Sequence, residues 1–317
     1  MWTPDPTWQR LSDAGDGSRL WRREEPGRGA WVGKRLLRPQ LGEHADHGDA
    51  TMTPADRAAL DPHHVLWWRR EADVVEQRWA ESLPGLRGPG GGRVEEDDDG
   101  VTVWWPLVER LPADDLAVAA ALGGLASAPA PQTSWACHDP LADRWRGVEA
   151  AGGWSTIGET PAADVAAALW SRRAELLAAL AVMPQVTVHG DVVPGNVLGT
   201  APVAHAHVVA CDWSATGRGP AGTDLGFFTL STRSRLAPLL DAYLGAADEL
   251  GVRLDADAVT LAARVQMAFT VLTRADRVLG RIAGGEGDWR TKLRHPAVAP
   301  AMRALQRAYP DFAPLLD

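Results

Sequence analysis

The sequence predicts an α+β chain in two lobes, a strand-rich first third with one main helix and a larger, mostly helical remainder. Three observations predict it. Short strand-like runs broken by Gly, Pro and Asp turns fill the first hundred residues, and Ala/Leu-rich stretches dominate from about Pro112. The change of texture happens once, at about residues 106–112, with no internal repeat on either side. A boundary after residue 108 divides the chain into lobes of residues 1–108 and 109–317.

The elements follow in order. WQRLSD (8–13), RLWRREE (19–25) and AWVGKRLL (30–37) read as three strands joined by the turns AGDGS (14–18) and PGRG (26–29). Residues 38–63 read as a polar loop with a short helix from Thr53. The spacing of Val65, Trp68, Ala72, Val75 and Trp79 predicts one helix over about 64–82, which LPGLRGPGGG then terminates. An acidic hairpin tip, VEEDDDG, leads into the strand VTVWWPLV (101–108). In the second lobe helices are expected over 116–127, 162–183, 235–250 and 256–283, with mixed short helical pieces over 134–154 and 289–309. Two strand-like segments, PQVTVHG (184–190) and AHVVACD (206–212), interrupt them.

Composition narrows the function. Lys and Arg number 32 against 41 Asp and Glu, a net charge of −9, so the chain lacks the positive surplus of a general nucleic-acid binder. Two cysteines, Cys137 and Cys211, make neither a disulfide framework nor a metal set. The start, MWTPDPTW, has no signal-peptide pattern, and the apolar stretches are too short to span a bilayer, so a cytoplasmic protein without membrane partners is expected. Tryptophan is the oddity: 15 Trp stand against 2 Tyr and 4 Phe. Each Trp carries an N–H as well as a ring, so this density predicts polar-rimmed apolar surfaces.

Chemistry concentrates in two segments. VTVHGDVVPGNVLG (186–199) places His189, Asp191 and Asn196 on one compact turn after a strand. VVACDWSATGRGPAGTDLGFF (208–228) ends a second strand in Asp212 and carries Asp224 beyond a Gly-rich loop. Two strand ends can meet in space. Asn196 and Asp212 would then offer the hard oxygen ligands that Mg²⁺ prefers, leaving Asp191 to orient a hydroxyl. Lys34 shares one face of its strand with Val32 and Leu36, and a lysine on an apolar face needs a partner.

HGDVVPGN followed by CDW resembles the catalytic and metal-binding motifs of the aminoglycoside phosphotransferase and choline kinase family, which has the protein-kinase-like fold. The resemblance covers nearly the whole chain. It implies a small antiparallel-sheet lobe that grips ATP, with GTP as the alternative donor, and a larger catalytic and substrate lobe. It further implies Asp191 as the catalytic aspartate, Asn196 and Asp212 as ligands of Mg²⁺, and Asp224 and His189 as braces of the loop. Lys34 would hold the phosphates with Glu71 as its partner, although Glu76 lies on the same helix. Gly15, Gly17 and Ser18 would lie over the phosphates, and Leu107 and Val108 belong to the hinge that reads the base.

The implied activity is transfer of the γ-phosphate to a hydroxyl of a small molecule, an aminoglycoside or another antibiotic among the candidates. A sugar or amino-alcohol kinase of metabolism, and a non-catalytic kinase-like binding module, are the alternatives. A metal-dependent hydrolase would need a closer His/Asp set than His44, His47, His63 and His64 suggest. The acceptor cleft is expected between the helices of 112–183 and 235–283. Acids there, Asp139, Asp143, Glu175, Asp248 and Asp276 among them, weakly favour a cationic acceptor. Trp135, Trp145 and Trp154 either face that cleft or pack helices.

Overall fold

The structure, a computed structural model, describes residues 2–13, 19–39, 53–109, 113–200, 207–282 and 289–317. The turn residues Gly15, Gly17 and Ser18, and the loop histidines His44 and His47, lie outside the described residues.

Five strands build the first lobe: β1 (Gln9–Asp13), β2 (Arg19–Glu25), β3 (Gly29–Leu37), β5 (Arg93–Asp97) and β6 (Gly100–Pro106). A two-residue strand, β4 (Leu86–Arg87), precedes β5 in the chain. The sheet is antiparallel in the order β1-β2-β3-β6-β5. Strand alternation sorts side chains onto two unlike faces. Val101, Val103 and Trp105 point inward with Lys34, against Ala72 and Val75. Trp21, Trp31 and Trp104 cluster on the outer face with Trp2 and Trp8 packed beside them. Arginines cover this aromatic face: the Arg23 guanidinium lies 3.6 Å from the Trp104 ring centroid and Arg93 lies 4.5 Å from that of Trp31. Gly33 is required here, because a Cβ at that position would run into the Trp104 ring.

Two helices stand between the sheet strands. α1 (Pro54–Leu60) starts at the expected Thr53, whose side chain and Asp56 form a reciprocal capping box. The helix expected over 64–82 is much shorter: α2 covers Arg70–Glu76, with turns before it and a single 3₁₀ turn, Trp79–Glu81, after it. The cause is Arg70. Its buried guanidinium collects the carbonyls of Pro62, His64, Val65, Trp135 and Ser214 at 2.6–3.2 Å, which bends residues 62–65 around it instead of into a helical ladder.

The second lobe contains α3 (Asp115–Ala126), α4 (Pro140–Ala150), α5 (Ala163–Ser171), α6 (Arg173–Ala181), α7 (Thr223–Thr229), α8 (Leu236–Glu249), α9 (Ala256–Gly280), α10 (Trp289–Arg294) and α11 (Ala299–Phe312). The single helix expected over 162–183 is two, α5 and α6, broken at Arg172, whose guanidinium donates to the Leu315 carbonyl at 2.6 Å. α9 is the central post, 25 residues long with α7 and α11 against it. Trp135, Trp145 and Trp154 are all buried in the main core, Trp145 stacked on Phe269 of α9, so they pack helices and line no cleft. Full burial of such side chains contributes roughly 2–3 kcal/mol each.

Four short strands carry the loops of interest. β7 (Gln185–Val188) pairs with β10 (Gly217–Pro220), and β8 (Val197–Thr200) with β9 (Val208–Ala210). β4 adds to β9 in parallel, so the linker after the 3₁₀ turn is stitched to the strand that precedes Asp212. No helix among the described residues is long and apolar enough to cross a membrane.

Candidate active site

Lys34 lies at the middle of β3 on its inward face, 4% exposed, and meets two carboxylates that approach from different elements. Its Nζ is 3.0 Å from Glu71 Oε2 on α2 and 2.8 Å from Asp212 Oδ1 beyond β9. Burial alone would lower the lysine, but the charges of Glu71 and Asp212 win and hold it well above its ordinary value. The same pairing acts in reverse on Asp212. Burial pushes its carboxyl up, and Lys34, Ser214 and His189 together pull it below the ordinary value. The partner of Lys34 is thus Glu71; Glu76 pairs instead with Arg69, at 2.9 Å.

Asp212 is one of two non-glycine residues among those described with a left-handed backbone, at φ 60° and ψ 63°. That turn swings its side chain back toward Lys34, and the Ser214 hydroxyl donates to the same oxygen at 2.7 Å. Trp213 is anchored below, its indole N–H on the Ala210 carbonyl at 3.1 Å.

The loop of residues 189–196 is held from three sides. The Asp224 carboxylate accepts the backbone N–H groups of His189 at 2.6 Å and Gly190 at 2.9 Å. His189 Nδ1 accepts the Asp191 N–H at 3.3 Å, which leaves Nε2 as the donor to the Cys211 carbonyl at 3.1 Å. This one ring ties the Asp191 loop to the strand end that bears Asp212. The Asn196 amide nitrogen donates to Asp191, at 2.9 Å to its carbonyl and 3.1 Å to Oδ2. Gly190 has φ +80°, and any Cβ there would collide with the Ala215 carbonyl, so only glycine fits between the histidine and the aspartate.

Between the lobes opens a cavity of about 210 Å³. Leu20, Val32, Trp105 and Leu198 give it apolar walls, Leu107 and Val108 stand at the strand-β6 end, and Lys34, Glu71, Asn196 and Asp212 line its polar end. Asn196 has spent its nitrogen on Asp191, so its amide oxygen remains for a cation, beside the Asp212 carboxylate. An apolar slot with a cation and two oxygen donors at one end fits a nucleotide with a divalent metal on its phosphates. The amide of Leu107 is committed to the Ala30 carbonyl at 2.8 Å, so a base edge would be read by its neighbours. No group of three or more His, Cys, Asp or Glu side chains among the described residues is placed to hold a metal ion.

The sequence profile of the phosphotransferase enzyme family matches residues 91–259, from the start of the β5–β6 hairpin into α9. The chain belongs to that family. No curated protein matches it in sequence. Among solved structures, the choline kinase LicA from Streptococcus pneumoniae aligns with a TM-score of 0.53 and 12% identity, over 97% of this chain and 93% of its own. The macrolide 2'-phosphotransferase MphH from Brachybacterium faecium aligns at 0.50 and 18%, over 93% and 92%. The amicoumacin kinase hAmiN, solved with AMP-PNP, Ca²⁺ and Ami, aligns at 0.55 and 12%, over 96% and 88%. At these identities the likeness is one of fold, and that fold is the two-lobe, kinase-like one. Membership of the family implies use of a nucleotide and a divalent metal.

Several residues of this phosphotransferase-family chain support the site in ways the sequence does not assign to them. Arg70, next to Glu71, pins α2 to the second lobe and to Ser214. Cys211 lines the cavity as a neutral thiol, since burial pushes it up to about 12. Arg144 of α4 donates to the Gly190 carbonyl at 2.6 Å. The one sequence signal for any of these is adjacency to a motif, as with Arg70 and Cys211.

Proposed function

We propose that the chain is an ATP-dependent O-phosphotransferase that moves the γ-phosphoryl group to a hydroxyl of a small molecule in the cytoplasm, with GTP as the alternative donor. The observation that carries the reading is the convergence of Lys34, Glu71, Asn196 and Asp212 at one end of a single apolar cavity, with Asp191 bound to Asn196 beside it. A module that only binds has no need of both a hydroxyl-orienting carboxylate and two metal ligands.

In this reading Lys34, held by Glu71, presents its ammonium to phosphate oxygens. Asn196 and Asp212 would hold Mg²⁺, which when bound neutralises charge on the transferred group. Lys34 now occupies one oxygen of Asp212, so ligand entry exchanges partners that already face the cavity rather than exposing new ones. Asp191 accepts the hydroxyl proton as the acceptor oxygen bonds to phosphorus and the bond to the leaving nucleoside diphosphate breaks. Positioning does most of the work, which is why the loop is so firmly tied by Asp224 and His189.

The test is ADP release from MgATP against a panel of hydroxylated antibiotics, sugars and amino alcohols, combined with AMP-PNP binding. Asp191→Asn should lower kcat by a hundredfold or more, on the order of 2.7 kcal/mol, with AMP-PNP affinity within a few-fold of wild type. Asp212→Ala should abolish Mg²⁺-dependent AMP-PNP binding and turnover. Failure of the wild-type protein to bind Mg²⁺ and AMP-PNP would overturn the reading.

A further inference from the structure

Two arginines, one on α4 and one on α9, stand near the Asp191 loop. Arg144 of α4 and Arg274 of α9 converge on one ring, that of buried Phe227 in α7, at 5.7 and 5.0 Å from its centroid. Arg144 is spent on the loop through its bond to Gly190. Arg274 is exposed and makes no hydrogen bond or ion pair with any described residue, its ring contact aside. Although exposed, its guanidinium is lowered by desolvation first, with repulsion from Arg144 and Arg277 acting the same way and attraction from Asp191 opposing. Arg274 thus feels the Asp191 carboxylate on one side and the charges of Arg144 and Arg277 on the others, one turn of α9 separating it from Arg277.

Five of the acids on the helices of this lobe and their caps are engaged elsewhere among the described residues. Asp143 is buried, accepting the Val65 N–H at 2.7 Å and pairing with Arg146. Asp139 caps α4 through the Ala142 N–H at 3.0 Å. Asp276 holds the N–H groups of Thr156 and Ile157 at 2.8 and 2.9 Å. Glu175 and Asp248 are exposed and face Arg172 and Arg253. A polycationic acceptor would thus meet guanidinium groups, and like charges in a closing site are strongly unfavourable.

We infer that the acceptor carries an oxyanion, a carboxylate or a phosphate, which pairs with Arg274 while a hydroxyl of the same molecule reaches Asp191. The planar guanidinium offers two parallel N–H donors to such a group, and its seat on Phe227 limits the freedom lost on pairing. The inference rests on the phosphotransferase reading of Asp191.

Sulfate is the probe, titrated into the full chain with the nucleotide site filled by saturating Mg²⁺ and AMP-PNP, so that Lys34 is not available to it. Wild type should bind sulfate, Arg274→Gln should weaken it at least tenfold with AMP-PNP affinity unchanged, and Arg274→Lys should recover part of the loss. Competition then separates the sources: glycerate against glycerol 3-phosphate, with glycerol and ethanolamine as matched compounds lacking an oxyanion. Displacement of sulfate by either anion, and by neither of the other two, is expected. Sulfate binding that is absent from wild type, or equal in Arg274→Gln, or an amino alcohol or amino sugar turned over in preference to the anions, would overturn the assignment. Absence of AMP-PNP binding by wild type is the separate result that removes the phosphotransferase reading beneath it.

Discussion

Asp212, half-buried beyond β9, and Asp224, buried in the first turn of α7, are carboxylates of one site satisfied in opposite ways. Asp212 faces an ammonium and a hydroxyl on flexible side chains, at the edge of an open cavity. Asp224 is closed in and spends its oxygens on two main-chain amides, those of His189 and Gly190. A partner on a side chain can be exchanged for a ligand; a partner in the backbone cannot be released without unmaking the loop. In the proposed reaction the contrast would divide the site into a part that exchanges partners with ligand and a part that keeps the Asp191 loop fixed.

The largest way to break that comparison is Asp224→Ala. Two buried N–H groups lose a charged acceptor, and the expected cost is about 3–5 kcal/mol, read as a drop in urea midpoint at unchanged slope. Asp212→Ala leaves Lys34 with Glu71, so its midpoint should move by less than half as much while Mg²⁺-dependent binding is lost. Equal losses of stability would mean that the two carboxylates do the same job.

A finer cut separates the two glutamates of α2. Glu71→Gln leaves Lys34 with one anion and should weaken AMP-PNP binding roughly tenfold, about 1.4 kcal/mol. Among the described residues Glu76 meets only Arg69, at an exposed position, and Glu76→Gln should leave the affinity within twofold. A nucleotide-binding loss shared by both variants would remove Glu71 from the exchangeable side of the comparison.

Much of this was legible in the chain, and what was not has a common cause. The strands of the first lobe, the single change to helical texture and the facing of Lys34 all follow from local alternation, which the structure keeps. The HGD turn, Asn196 and Asp212 are brought together by four short strands, β7 paired with β10 and β8 with β9. Local pattern fails wherever a distant polar group takes over a backbone carbonyl. Arg70 draws in Pro62, His64 and Val65 and shortens α2; Arg172 reaches Leu315 where one expected helix becomes two. The tryptophans show both outcomes. Trp104 and Trp154 find Glu95 and Thr273 for their N–H groups, as a polar rim requires, whereas the buried N–H groups of Trp135 and Trp145 find no partner among the described residues. Charge is the least legible quantity. A count of −9 weakly favours a cationic acceptor, and a sum does not show which acids are already caps.

The smallest expected effect is also the one that isolates charge from contact. Both aspartates have an ordinary value near 3.8 in the unfolded chain, and folding moves them apart: Lys34 overrides burial and lowers Asp212, whereas burial outweighs its amide and cation neighbours and raises Asp224. A lowered carboxyl contributes stability above its unfolded value, and that contribution is lost as pH falls through the folded one. A raised carboxyl does the reverse, contributing fully below its unfolded value and losing the contribution as pH rises through the folded one. Asparagine variants carry no titration at either position, so any constant cost of the substitution drops out of the slope. In urea titrations between about pH 3 and pH 6, the stability of wild type relative to Asp212→Asn should rise with pH, mainly at and below the unfolded value. Relative to Asp224→Asn it should fall with pH, from the unfolded value upward. Slopes of the same sign would show that the amides hold Asp224 as an ion as firmly as the lysine holds Asp212, and the distinction between the two would then be one of geometry alone.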